Sequence, residues 1–113
     1  MNDKNTNADY GEWARSGSTS GPELQLAQLV RSLAGRDKGQ LYLVVAMDGA
    51  RVLVADGRDR GVGKPKKKNR RHLQLSYKVA ADLKDKAASG KVTDEEIREA
   101  INKLAGENAK EGM

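Results

Sequence analysis

The apolar residues between positions 24 and 76 follow the pattern of short β-strands separated by turns. Four stretches rich in aliphatic and β-branched side chains predict strands; they are residues 24–33, 41–47, 51–55 and 72–75. Asp48-Gly49 separates the second stretch from the third, and Asp-Gly between two strands is a strong hairpin signal because both residues tolerate a positive φ. Four or five strands this short and this close, with no helix between them, predict a small β-barrel or a curled antiparallel sheet.

Residues 77–106 have instead the spacing expected of α-helices. Thr93 and Glu96 form a capping box, in which the Thr93 hydroxyl accepts from the Glu96 N–H and the Glu96 side chain reaches back to Thr93. Apolar residues then recur on one helix face; they are Ile97, Ala100, Ile101 and Leu104. Residues 78–88 predict a second, shorter helix before Ser89-Gly90. We therefore expect one or two C-terminal α-helices that end at Gly106, with a frayed end over residues 107–113.

Residues 1–23 form a polar N-terminal segment rich in Asn, Ser, Gly and Thr. Such a segment buries too little apolar surface to offset the entropy lost on ordering, so we expect it to be disordered. Tyr10 and Trp13 in this segment are half of the four aromatic residues of the chain. They suggest a docking motif for a partner or a stacking contact with a base, and the alternative is a flexible terminus without a role.

Positive charge is concentrated in the middle of the chain. The 113 residues, the length of one domain, have a formal net charge of +5. Residues 29–72 contain 12 basic and 4 acidic side chains, whereas residues 1–28 and 73–113 each have a slight acidic excess. A concentrated positive region favours a polyanionic partner more than uniform basicity would.

The composition argues against an enzyme. The chain has no cysteine and a single histidine, His72, which leaves no thiolate zinc site, thiol nucleophile or two-histidine metal site. The glycine-rich segment GRDRGVGKP, residues 57–65, fails as a P-loop, because its glycine spacing is wrong and Pro65 stands where Ser or Thr would bind magnesium. We therefore expect no enzymatic activity, no metal and no cofactor.

Residues 64–72, KPKKKNRRH, are expected to form a basic loop with six permanent cations in nine positions. Like charges at this density oppose compaction unless a polyanion neutralises them, so the loop is a candidate phosphate-contact segment. Its cations are Lys64, Lys66, Lys67, Lys68, Arg70 and Arg71. Four further cations in predicted turns can add to the same face: Arg36, Lys38, Arg58 and Arg60. The alternatives are a solvated loop without a partner, a membrane surface or an acidic protein.

Aromatic side chains are scarce near these cations. Tyr42 and Tyr77 are the nearest, and both are expected to pack within the fold. Contact with the phosphate backbone of a folded RNA therefore fits the residues better than stacking on unpaired bases.

Residues 29–45, LVRSLAGRDKGQLYLVV, resemble a KOW motif, in which a turn of the type Gly-Arg-Asp-Lys-Gly connects two strands. The likeness continues through VLVADGRDRGVGKPKKKNRRHLQL and GKVTDEEIREAINKL, so that it covers about residues 24–105. Together these segments are similar to short bacterial KOW-domain RNA-binding proteins, which are related to the KOW-type large-subunit ribosomal proteins of archaea and eukaryotes. The chain departs from that pattern at Ala27, where such a strand is expected to begin with Gly, and at Gly61-Val62-Gly63.

The resemblance implies a Src-homology-3-like barrel over residues 24–76, with four to five short antiparallel strands. It also implies binding to structured RNA, with ribosomal RNA as the expected partner. It assigns RNA contact to the turn around Arg36 and Lys38, shaped by Gly35 and Gly39, and to the basic segment from Lys64 to Arg71.

Two functions remain open at this point. The first is an RNA-binding module, monomeric when free, whose cations neutralise phosphates. The alternative is a protein-interaction KOW module of a transcription or translation factor, which would bind its partner through the helix stripe Ile97/Ile101/Leu104 or through the Tyr10–Trp13 tail. No apolar run approaches the about 20 residues of a membrane span, and no signal-peptide core follows Met1, so we expect a cytoplasmic protein without a membrane partner.

Overall fold

The structure, a computed structural model, describes residues 22–111, with side chains over residues 22–106. The predicted polar tail with Tyr10 and Trp13 therefore lies outside the described residues, except at Pro22 and Glu23. Five strands form one antiparallel sheet in the order β4-β3-β2-β1-β5. Their bounds are β1 Gln28–Ser32, β2 Leu41–Asp48, β3 Arg51–Ala55, β4 Lys66–Asn69 and β5 Leu73–Val79. The prediction of a small antiparallel sheet followed by C-terminal helices is confirmed.

Two strands differ from their predicted positions. β4 lies within the segment expected to be a basic loop, where it pairs with β3 and places Lys68 opposite Val52 and Lys66 opposite Val54. Because the two valines are fully buried, the backbone beside them needs hydrogen-bond partners, and β4 supplies them. β5 begins one residue after His72 and continues to Val79, so residues 78 and 79 belong to a strand rather than to the predicted helix.

The hairpin between β2 and β3 has the predicted length but a different register. Asp48 pairs with Arg51, so the two loop residues are Gly49 and Ala50 rather than Asp48 and Gly49. Gly49 has φ +63°, and Ala50 does not adopt a positive φ. A positive φ at the first loop residue alone is the pattern of a type II′ turn, which matches the twist of the flanking strands.

The sheet is strongly curled. β4 and β5 are its two opposite edges, yet only the three-residue 3₁₀ turn Arg70–His72 connects them. In a flat five-stranded sheet the edges would lie about 19 Å apart, at about 4.8 Å for each strand spacing. The chain from Asn69 to Leu73 spans at most about 14 Å even when fully extended. The edges must therefore bend toward each other.

Apolar side chains fill both faces of this curled sheet. On one face the buried cluster consists of Val30, Tyr42, Val44, Val52, Val54 and Leu73. On the other face Leu43 and Ala55 pack with Ile97 of the C-terminal helix, and all three are fully buried. Ile101 and Leu104 pack against that second cluster, so the helix stripe contacts the sheet.

The C-terminal part contains a 3₁₀ turn, Ala81–Leu83, and two helices, α1 Lys84–Ala88 and α2 Asp94–Glu111. The capping box is confirmed: the Thr93 N–H donates to Glu96 Oε1 at 3.0 Å, and the Glu96 N–H donates to Thr93 Oγ1 at 3.2 Å. α2 continues past the predicted end at Gly106 as far as Glu111. One glycine within a helix costs only about 1 kcal/mol, which the flanking turns tolerate. The segment predicted as a helix over residues 78–88 is helical only from Ala81.

Ala27 has a left-handed backbone conformation, which favours glycine. Its φ is +64°, and it is the one non-glycine residue with a positive φ between residues 22 and 111. The conformation is held by two backbone hydrogen bonds, from the Ala27 N–H to Val44 O and from the Ala80 N–H to Ala27 O, both at 2.8 Å. The residue before β1 therefore carries backbone strain that a glycine would relieve.

Candidate nucleic-acid interface

The turn between β1 and β2 presents two cations on either side of a carboxylate. Gly35 and Gly39 have φ of +91° and +93°. A side chain at Gly39 would meet no atom within 4 Å, so the backbone conformation rather than lack of space favours glycine there. Arg36 and Lys38 are exposed, whereas Asp37 between them is half-buried. The turn holds its cations at the surface and its carboxylate against the protein.

Asp37 connects this turn to the neighbouring strands. Its carboxylate accepts hydrogen bonds from Ser32 Oγ at 2.9 Å and from Tyr42 OH at 2.7 Å. It also pairs with Lys68 Nζ at 3.0 Å and with Lys66 Nζ at 3.3 Å. Burial opposes ionisation, but the hydrogen bonds, that from Tyr42 first, outweigh it and hold the pKa of Asp37 well below its ordinary range. Burial and the same hydrogen bond raise the pKa of Tyr42 above its ordinary value.

Asp56 connects a second cationic loop to the same turn. Its buried carboxylate accepts the backbone N–H groups of Arg58 at 2.8 Å and Arg60 at 2.9 Å. It also accepts from Gln40 Nε2 at 2.9 Å, and Gln40 directly follows Gly39 of the turn. The side chains of Arg58 and Arg60 are exposed. Asp56 thus fixes the backbone of the loop while both guanidinium groups remain at the surface.

Two glycines of this loop, Gly57 and Gly61, lie against the start of α2. A side chain at Gly57, which has φ +78°, would lie 2.5 Å from the Asp94 carbonyl oxygen. Arg98 Nη1 donates to Gly57 O at 2.6 Å, and the Val62 N–H donates to Asp94 Oδ1 at 2.7 Å. The irregular Gly61-Val62-Gly63 stretch therefore includes residues that contact Asp94 at the start of α2.

The basic segment is divided by the alternation of β4. Lys67 is exposed, whereas Lys66 and Lys68 point to the opposite face, toward Asp37. Lys68 is only 7% exposed and also donates to Ala34 O at 3.0 Å, so it is an internal ion-pair partner rather than a phosphate contact. Lys66 keeps 28% of its side-chain surface exposed beside the same carboxylate. Lys64 is exposed in the loop before the strand.

These contacts bring cations from three separate segments to one end of the sheet. We call this surface the turn patch; it consists of Arg36, Lys38, Arg58, Arg60 and Lys66. Asp37 joins the β1–β2 turn to β4, and Asp56 joins the turn to the loop after β3. Five of the predicted cations therefore lie on segments that meet at one end of the sheet.

Arg70 and Arg71 lie at the other end of β4. The Arg70 N–H donates to Ala50 O at 3.4 Å, in the loop of the β2–β3 hairpin. Both arginines are exposed, as is Arg51, which pairs across the strands with Asn69. Arg51 was not among the predicted site residues, because its place beside this pair depends on the pairing of β3 with β4. These residues form a second basic surface, which we call the hairpin patch: Arg51, Arg70 and Arg71.

The two tyrosines near the basic surfaces have different environments. Tyr42 is buried at 2% exposure, as predicted, and its hydroxyl is bound to Asp37. Tyr77 is 51% exposed on the edge strand β5, so the expectation that it packs within the fold is wrong. Alternation explains the difference, because Ser76 faces inward and Tyr77 therefore faces outward.

Within residues 22–111 no group of three or more acidic or histidine side chains is placed to hold a metal ion. Over the described part of the chain, no helix has both the length and the apolar character needed to cross a bilayer. In comparisons with known proteins, the chain matches no family model and no curated protein sequence.

Proposed function

We propose that the chain is an RNA-binding module of the KOW type that contacts structured RNA, with ribosomal RNA as the favoured partner. The observation that supports this most is the turn patch, in which three segments of the chain present cations at one end of the sheet. Beneath the patch, half-buried Asp37 pairs with Lys66 and Lys68, and buried Asp56 is hydrogen-bonded to donors of the protein. The exposed cations of these segments, Arg36, Lys38, Arg58 and Arg60, outnumber their one exposed carboxylate, Asp59. The outward charge is therefore positive, as a phosphate-contact surface requires.

We also propose that the curled sheet closes into a Src-homology-3-like barrel. The three-residue connection between the two edge strands supports this, since it forces the edges toward each other. The fully buried cluster around Val30 and Val54 supports it as well. In such a barrel this cluster is the interior, and the loops at one rim form the turn patch.

The chemistry of this binding is neutralisation of phosphate charge. Arg36 and Lys38 lie in the turn between Gly35 and Gly39, whose positive φ values keep the backbone tight. The RNA backbone can therefore approach this turn closely. Arg58 and Arg60 supply planar guanidinium groups that bind phosphate oxygens with two hydrogen bonds. Asp37 and Asp56 are positioning residues, because each acts through the segment that it holds.

Salt dependence of RNA affinity tests the proposal. If about five phosphates are neutralised, the logarithm of the association constant should fall with that of the salt concentration at a slope of roughly −3.5 to −4.5. The double variant Arg36→Ala/Lys38→Ala should weaken binding to a fully paired RNA hairpin and reduce that slope by about 1.5. The matched control is Lys91→Ala/Lys103→Ala, which removes two exposed cations outside the patch. An equal loss in both double variants would overturn the assignment of the site.

The alternative function, a protein-interaction module, is less favoured at the helix stripe than at the N-terminal tail. Ile97 is fully buried, and Ile101 and Leu104 are partly buried against the sheet, so the helix stripe contributes mainly to the fold. The Tyr10–Trp13 tail remains for that function. Nuclease treatment separates the two: an RNA-bound protein is released from ribosomes by nuclease or by high salt, whereas a protein-bound one is retained after nuclease.

A further inference from the structure

A polar cleft of about 310 Å³ lies between the turn patch and α2. Arg58 and the turn residue Gly39 form one side, and Arg98 and Asn102 of α2 form the other. Ile101 of α2 adds a partly buried apolar side chain to the lining. The volume is at the small end of the about 300–1,000 Å³ range of ligand sites.

The side chains of this cleft are held in place from behind. Arg98 donates through Nη1 to Gly57 O at 2.6 Å, which fixes its guanidinium group against the loop. The backbone of Arg58 is fixed by Asp56, whose carboxylate also belongs to the lining. That carboxylate accepts from two backbone N–H groups and from Gln40, so its acceptor oxygens are already occupied by donors of the protein.

Such a cleft matches the chemistry of a single nucleotide. Two guanidinium groups can bind phosphate oxygens or the acceptor atoms of a base edge, and a side-chain amide both donates and accepts. An arginine guanidinium plane can also stack on an unpaired base, which permits base contact where aromatic side chains are absent. A base within a duplex cannot enter, because pairing and stacking hold it in the helix.

We propose that this cleft receives one unpaired nucleotide of the bound RNA, with its phosphate at Arg58 and its base at Arg98 and Asn102. This inference rests on the proposed RNA-binding function and extends it. The turn patch then contacts the backbone of a paired segment, while α2 selects RNA in which a nucleotide projects from the helix. The C-terminal helix is thereby both a support for the sheet and a specificity-determining element.

Two synthetic RNA hairpins test the proposal. They share one stem, and one of them carries a single-nucleotide bulge, prepared in turn with each of the four bases. The wild-type protein should bind the preferred bulged hairpin about five- to tenfold more tightly than the paired one. Asn102→Ala should reduce that ratio toward one. Arg98 is left unchanged, because its bond to Gly57 also serves the fold.

A matched pair of loop variants provides the control. Arg58 and Arg60 are both exposed and both fixed by Asp56, but Arg58 lines the cleft and Arg60 does not. Arg60→Ala should weaken binding to both hairpins by the same factor and preserve the ratio. Arg58→Ala should weaken binding and also lower the ratio.

The outcomes distinguish failure of the proposed RNA-binding function from failure of the nucleotide-cleft proposal. If neither hairpin binds at low salt, the proposed function is wrong and the cleft proposal with it. If both bind equally, the phosphate-contact function stands and the nucleotide cleft is refuted. A bulge preference that Asn102→Ala and Arg58→Ala leave intact would also refute it, because the preference would then arise elsewhere.

Discussion

Asp37 is the residue on which the geometry of the turn patch depends most. It is the shared partner of Lys66 and Lys68 and accepts from Ser32 and Tyr42. Asp37→Asn keeps the shape of the side chain but removes its charge, which leaves Lys68 buried without its ion-pair partner. Removing one partner of a buried pair is strongly destabilising, so we expect the free energy of unfolding to fall by about 2–3 kcal/mol. Urea denaturation measures this loss.

The exposed Asp59 supplies the control for that variant. Asp59→Asn makes the same chemical change at the surface and should alter the free energy of unfolding by less than about 0.5 kcal/mol. If Asp37→Asn were equally harmless, the contacts of Asp37 would not contribute to stability.

The low pKa of Asp37 makes its contribution to stability dependent on pH. The pKa of the carboxyl is depressed in the folded protein, and in the unfolded chain it is about 3.9. A depressed folded pKa contributes stability that is present above the unfolded value and is lost as the pH falls below it. The difference in unfolding free energy between wild type and Asp37→Asn should therefore be largest above pH 5 and shrink toward pH 2. A difference that is constant with pH would show that charge is not the cause.

The positive φ of Ala27 leads to a second prediction for a single residue. Ala27→Gly should relieve about 1 kcal/mol of backbone strain, while it loses about 0.8 kcal/mol of methyl burial and some backbone entropy. These effects nearly cancel, so we expect a change within about 1 kcal/mol. Ala55→Gly is the control, because Ala55 is equally buried but has no positive φ, and it should be clearly destabilised. Thermal melts of the two variants measure the contrast, and equal losses would contradict the strain at Ala27.

At the scale of elements, the alternation of strand β4 makes Lys67 exposed and Lys68 buried. Lys67→Ala removes an exposed cation, and Lys68→Ala removes the buried partner of Asp37. We expect Lys67→Ala to leave the melting temperature unchanged. Lys68→Ala should instead lower the free energy of unfolding by about 2 kcal/mol or more. Calorimetry of the two variants checks this, and equal stabilities would mean that β4 is not a strand in solution.

The contact between the loop after β3 and α2 leads to a second prediction about elements. Gly57→Ala would force a side chain into the Asp94 carbonyl oxygen at a left-handed φ, so we expect a loss of about 2 kcal/mol or more. At Gly63 an added methyl group would meet nothing within 4 Å, and φ is not left-handed. Gly63→Ala should therefore be neutral or slightly stabilising. Denaturant titration of both variants decides whether α2 supports the loop.

The elements that the sequence predicts well are those with local signals. β2 and β3 follow from uninterrupted apolar stretches, and the start of α2 follows from the capping box at Thr93. β4 could not be predicted in this way, because a run of lysines has no strand signal of its own. Its conformation depends on pairing with β3 and on Asp37, which lies 31 residues before Lys68. The cations of the turn patch were predicted from composition, whereas the cleft beside α2 depends on a tertiary contact between Gly57 and Arg98.

At the scale of the whole molecule, the sheet shares one of its two apolar clusters with the C-terminal helices. One apolar cluster lies on the face without helices, and the other joins Leu43 and Ala55 to Ile97 of α2. The sequence predicts a barrel over residues 24–76 and a helical extension over residues 77–106, and this second cluster lies between them. Leu43 and Ala55 are fully buried in a cluster that also contains Ile97 and Ala100 of α2, so we expect the strands and α2 to unfold together.

Truncation tests this cooperativity. A fragment of residues 22–90 lacks α2 and exposes the apolar face around Leu43, and loss of Ile97 contacts alone is worth about 2–5 kcal/mol. Since small domains are stable by only about 5–15 kcal/mol, we expect this fragment to show no cooperative thermal transition. A fragment of residues 22–106 keeps every described side chain of both clusters and should melt within a few degrees of the full chain. If the 22–90 fragment melted cooperatively at the same temperature, the strands would form an independent domain, and α2 would act in RNA binding alone.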